Sequence, residues 1–242
     1  MRDVDLLFET IRESAQGDTL KTVQGVLIDL HLHAASFVPG LTTCTDFEDA
    51  LSKLRYAFKE LEHIKFLRVN FYLDPDIANG IRRLQEWDIL NVSVFRSLEE
   101  FSSTTIGHHL LKPFFQRHKG IEVLTLGRCG GSAHAICPLS ALQESKVKII
   151  TATPSCIGVI MPRNRAFNVL IGPKTSKHME TFPLHTTLET LRDFTSITSL
   201  TLNVSPTESD VLFRIAESCP ALKRLFLSQI SKVRFSPFEF SY

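Results

Sequence analysis

Asp29-Leu30-His31-Leu32-His33 holds the sharpest chemical pattern in this sequence. Residues two apart on a strand point to the same side. The imidazoles of His31 and His33 could therefore chelate one divalent ion, as a metal-dependent hydrolase requires. Two imidazoles alone do not complete a coordination sphere, so further ligands must come from other strands. The later strand segments carry Val69-Asn70, Val94-Phe95, Thr125-Leu126, Thr201-Leu202 and Phe226-Leu227, with no ligand among them. No metal is expected, and His31 and His33 read as polar residues on the wet side of the first strand. His108-His109 falls in a helical pattern, where adjacent rings diverge; a surface pair, or one core and one surface ring, is expected. Gly127-Arg128-Cys129-Gly130-Gly131 could suggest a phosphate cradle or a reactive thiol. It lacks the spacing and lysine of a P-loop, so its role is expected to be structural.

The five cysteines are Cys44, Cys129, Cys137, Cys156 and Cys219. They are scattered, odd in number and form no C-x-x-C pair, which points to free buried thiols in a reducing compartment. Lys+Arg number 27 against 26 Asp+Glu, so no global field attracts nucleic acid or an anionic membrane. The chain opens on charges where a signal peptide needs an apolar run, and no apolar stretch approaches the roughly 20 residues of a membrane span. A cytoplasmic or nuclear protein is expected, with no cofactor and no glycan at the Asn91 and Asn203 sequons. Arg163-Asn164-Arg165 reads as a solvated basic loop tip. Phe235, Phe238 and Phe240 near the end are expected to pack on the last unit.

The elements around these residues repeat. Ile121-x-x-Leu124-x-Leu126-x-x-Cys129 pairs a half-buried strand with a closing turn, the pattern of a leucine-rich repeat. Looser copies are Ile64-x-x-Leu67-x-Val69, Trp87-x-x-Leu90-x-Val92, Val147-x-x-Ile150-x-Ala152, Ile197-x-x-Leu200-x-Leu202 and Leu222-x-x-Leu225-x-Leu227. Val26, Ile28, Leu30 and Leu32 alternate as a first strand, and Phe167, Val169 and Ile171 as a sixth. Helical periodicity marks residues 3–14, a helix capped by Asp46, a short one at 77–84, 105–117 with Pro113 inside, 139–143 and 187–192. Ser205-Pro206-Thr207-Glu208 has the form of a capping box opening the last helix.

Residues 1–21 therefore read as an N-terminal helix and 22–242 as one repeat domain, possibly truncated at either end. Helix and strand recur at roughly 20 to 37 residues, and such units must stack to bury their apolar faces. The fold class is α/β: a leucine-rich-repeat solenoid arc of irregular helix–strand units with a mainly parallel sheet. The alternative is a closed β/α barrel. Barrel strands are buried on both faces, whereas polar residues flank the paired leucines here, which favours the arc.

The segment from Ser205 through Cys219-Pro220 to Leu222-x-x-Leu225-x-Leu227 resembles the helix–Cys-Pro–strand unit of F-box leucine-rich-repeat proteins, and the Phe-rich irregular units resemble the fungal F-box-like set. That resemblance implies a repeat region that recruits a protein substrate for a ubiquitin ligase, without catalysis of its own. A Skp-type adaptor would bind only if an F-box lies outside this chain, since no Leu-Pro stretch opens residues 1–22. His-x-His, by contrast, resembles the metal motif of amidohydrolase barrels, which would imply a metal-dependent hydrolase using His31 and His33. On the arc, partner contacts are expected at Arg68, Asn70, Asn91, Thr201, Asn203 and Arg224.

Overall fold

The computed structural model describes residues 8–13, 23–32, 44–73, 90, 93–127, 129, 137–139, 146–161, 167–171, 183–194, 196–205 and 207–229. Eight strands form a single parallel sheet whose spatial order is the chain order. They are β1 (Gly25–Leu32), β2 (Phe66–Leu73), β3 (Glu100–Ser103), β4 (Val123–Leu126), β5 (Ile149–Ala152), β6 (Phe167–Ile171), β7 (Ile197–Val204) and β8 (Arg224–Gln229). The helices are α1 (Cys44–Glu60), α2 (His108–Arg117), α3 (Pro154–Ile160), α4 (Leu184–Arg192) and α5 (Val211–Ser218). Residues 8–13 are also helical. A closed barrel would need a ladder from β8 back to β1. Among the described residues each edge strand has one partner, so the barrel alternative is not supported.

One row of side chains crosses the whole sheet in register. Val26 lies beside Leu67, then Phe101, Leu124, Ile150, Val169, Leu200 and Leu225. All but Leu225 are buried, and Leu67, Phe101, Leu124, Ile150 and Leu200 are fully enclosed. Three residues before five of these positions stands another buried apolar side chain: Ile64, Leu98, Ile121, Val147 and Ile197. Between these columns the backbone repeats one joint. The carbonyls of Gln24, Lys65, Glu99 and Glu122 each accept two N–H groups from the next unit, as when Glu122 takes those of Lys148 and Ile149 at 2.7 and 3.1 Å.

Around β3 and α2 the core is aromatic. Phe101 meets Phe114 with ring centroids 4.7 Å apart, and Phe58 meets Phe95 edge-on at 5.7 Å. His118 belongs to this cluster. Its Nδ1–H donates to the Phe114 carbonyl at 2.7 Å, and its Nε2 accepts the Phe95 N–H at 2.9 Å. Those two bonds define a neutral tautomer, and burial holds its pKa below the usual histidine value, with the Phe114 carbonyl opposing and Arg117 adding to the shift.

Three expectations are corrected. The third strand is β3, built on Leu98-x-x-Phe101-x-Ser103; the Trp87–Val92 segment lies largely outside the described residues, and its Leu90 is buried outside any strand. The Ser205 capping box does not form: α5 starts six residues later, behind Asp210 in the left-handed conformation at φ 52°. Glu208 instead accepts the Leu184 N–H at 3.3 Å and pairs with Arg214 at 3.4 Å, joining α5 to α4. The helix expected from Asp46 begins at Cys44. The helices expected at 77–84 and 140–143, the loop 162–166 and the terminal phenylalanines lie outside the described residues.

Candidate functional site

The second face of the sheet carries its own row: Leu27, Arg68, Ser102, Thr125, Thr151, Leu170, Thr201 and Phe226. Strand alternation sends these side chains away from the buried row. Arg68, Ser102, Thr125 and Thr201 are half-buried, Thr151 is buried, and Leu27 and Phe226 at the two ends are 58% and 59% exposed. Asn203 is half-buried on β7 and Arg224 is exposed on β8. Four of the six expected contact residues, Arg68, Thr201, Asn203 and Arg224, therefore share this face.

Asn70 does not belong with them. It is fully buried, and its Oδ1 accepts both the backbone N–H of Thr104 at 2.7 Å and the Thr104 hydroxyl at 3.0 Å. It fastens the turn after β3 to the middle of β2. Asn91, the His31 side chain and His33 lie outside what the structure describes, although the His31 backbone pairs with Tyr72 in the first ladder.

A second site sits past the C-terminal ends of β3, β4 and β5, which share one edge because the strands are parallel. His108 opens α2 just after β3. Cys129 follows β4, Cys137 lies in the next described segment, and Cys156 occupies the first turn of α3 after β5. One donor atom from each of these four residues lies within 4.8 Å of all the others. His108 Nδ1 is 3.3 Å from Cys137 Sγ and 3.6 Å from Cys156 Sγ. His108, Cys137 and Cys156 are buried and Cys129 is half-buried. The other ring nitrogen of His108, Nε2, is buried with no hydrogen-bond partner among the described residues.

Glycine at 127 makes this convergence possible. A Cβ there would sit 1.9 Å from the Thr104 carbonyl oxygen, so only glycine lets the turn after β4 pass against the turn after β3. The Gly127 N–H donates to the Ser103 carbonyl at 3.0 Å across the same contact. Cys129 is delivered beside His108 by that close passage.

The cluster is electrostatically uneven. The hydrogen bond between Cys137 and Cys156 is the largest influence on both thiols: it lowers the pKa of Cys156, aided by His108 and Thr153 against the cost of burial, and raises that of Cys137, which burial raises further. These contacts favour deprotonation of Cys156 over Cys137. Cys219, buried elsewhere with no such neighbours, is pushed up by burial alone to about 11. A buried thiolate beside an imidazole has the chemistry of a nucleophile, but Cys156 and His108 are both fully enclosed. Catalytic cysteines need partial exposure to meet a substrate.

Sequence reasoning left His108 and His109 as a surface pair or as one core and one surface ring; His108 is buried and His109 exposed. It missed that the core ring meets three cysteines. The available signal was repeat phase: His108, Cys129 and Cys156 each follow the end of their own strand by a few residues, so superposing the units puts all three at one edge. Comparison with protein-family models, curated proteins and solved structures returns no match for this chain. No helix among the described residues is long and apolar enough to cross a membrane.

Proposed function

We propose that this chain is a leucine-rich-repeat recognition module, without catalytic activity of its own, that binds a protein partner on the outer face of its sheet. The supporting observation is the single in-register row from Val26 to Leu225. It commits one face of every strand to the core and leaves the opposite face as one continuous surface. On this reading the strands form an open arc, and Arg68, Thr201, Asn203 and Arg224 contact the partner. The resemblance to F-box leucine-rich-repeat proteins makes a ubiquitin-ligase substrate the favoured partner class, in the cytoplasm or nucleus. A Skp-type adaptor enters only through an F-box outside this chain.

The test is affinity capture from extract with the wild-type chain and with a variant carrying Arg68→Ala, Thr201→Ala, Asn203→Ala and Arg224→Ala. A partner held by the wild type and lost by the variant, at unchanged melting temperature, supports the reading. Equal capture by both proteins removes this face as the recognition surface.

A further inference from the structure

The geometry points to a structural zinc site formed by His108, Cys129, Cys137 and Cys156. This inference is independent of the proposed recognition role. Three sulfurs and one imidazole nitrogen are the donor set of closed, four-coordinate zinc sites, and soft thiolates select zinc over the hard cations. With Zn–S about 2.3 Å and Zn–N about 2.0 Å, tetrahedral donors of this set stand roughly 3.5 to 3.8 Å apart. The His108–Cys156 separation of 3.6 Å falls in that range, the His108–Cys137 separation of 3.3 Å is slightly shorter, and all four donor atoms lie within 4.8 Å of one another. The four ligands come from the three successive connections after β3, β4 and β5, which meet because those strands are adjacent and parallel.

Burial decides between this and the competing readings. A fully enclosed imidazole with one ring nitrogen aimed at two sulfurs is well placed to coordinate a metal and badly placed to meet a substrate. The His108 ring coordinates through Nδ1 and keeps its proton on Nε2. Zinc binding displaces the protons of the thiols to solvent, so loading releases protons as the metal enters. The bound metal ties the turns after β3 and β4 to the start of α3. That joint lies at the sheet edge opposite the carbonyl joints of Lys65, Glu99 and Glu122.

The experiment uses the full chain purified under reducing conditions from zinc-supplemented cells. Elemental analysis is expected to give one zinc per chain, together with proton release when apo protein is reloaded. Replacing zinc by cobalt(II) in the wild type should give thiolate-to-cobalt charge-transfer bands and the strong ligand-field bands of a tetrahedral site. Cys137→Ser and Cys156→Ser should weaken metal binding about 10-fold or more, while Cys219→Ser retains the full complement. The cobalt spectrum is read on unmutated protein, so poor folding of a variant leaves the test intact. Folded wild-type protein with neither stoichiometric zinc nor a cobalt charge-transfer band overturns the assignment. So does iron with acid-labile sulfide, a Cys137–Cys156 disulfide under reducing purification, or equal metal loss in the Cys219 variant.

Discussion

Asn70 Oδ1 accepts two hydrogen bonds from Thr104, the backbone N–H at 2.7 Å and the hydroxyl at 3.0 Å. A residue with the sequence character of a surface contact is thereby a fastening between neighbouring units. Asn70→Leu keeps the branched shape but leaves both Thr104 donors without their acceptor. Loss of about 1–3 kcal/mol is expected, measured by urea unfolding. Arg68→Ala, two residues away on the outer face, should stay within about 0.5 kcal/mol. Equal effects would mean that Asn70 does not carry the joint.

Gly127→Ala should be among the most damaging single-atom additions in the chain. Its Cβ would collide with backbone, the Thr104 carbonyl at 1.9 Å, rather than with a side chain that can swing aside. Overpacking of this kind costs typically about 1–3 kcal/mol, occasionally more. Thermal melting reads the effect, and a variant as stable as the wild type would show that the two turns separate freely.

His118 gives stability a pH dependence. Its folded pKa lies below the ordinary 6.5, so the unfolded chain takes up a proton at a higher pH than the folded chain does. The contribution is therefore complete above pH 6.5 and is lost as pH falls through 6.5 toward the folded value. Protonation would also oppose a donor to the Phe95 N–H. His118→Ala should be less stable at neutral pH and show a flatter acid limb, measured by urea midpoints across pH 5 to 8. An unchanged slope would assign the acid sensitivity to other groups.

The two rows of the sheet should respond differently to truncation. Leu124→Ala and Leu200→Ala remove fully buried side chains and should cost about 2–5 kcal/mol. Thr201→Ala and Arg224→Ala, on the other face, should cost little. Comparable losses in both sets would refute the assignment of faces.

The strands were legible where their paired core positions are aliphatic. Leu67/Val69, Leu124/Leu126, Ile150/Ala152, Leu200/Leu202 and Leu225/Leu227 announce β2, β4, β5, β7 and β8. In β3 the second position is Ser103, a buried serine whose hydroxyl accepts the Ile106 N–H at 3.3 Å. Its apolar signature is halved, and Trp87, Leu90 and Val92 offered a louder imitation nearby. The capping box at Ser205 failed because Glu208 found a tertiary partner in the Leu184 N–H instead of a local one. The thiol–imidazole cluster was illegible by spacing, since its members are distant in sequence and are gathered by strand adjacency. The scattered cysteines led to an expectation of buried thiols, which holds for Cys137, Cys156 and Cys219, whereas Cys129 is half-buried; only the third dimension showed what they meet.

The order of the sheet bears on how the protein is made. Among the described residues, each strand bonds only to those immediately before and after it in the chain. A ribosome releasing this polypeptide from its N-terminus delivers every strand directly to a partner that has already emerged. No pairing has to wait for the far end of the chain, unlike a closed ring, whose last seam forms only after synthesis ends. The exposed edge at any moment is the current β-strand, so nascent chains are vulnerable to mispairing at one moving front, not along the whole sheet.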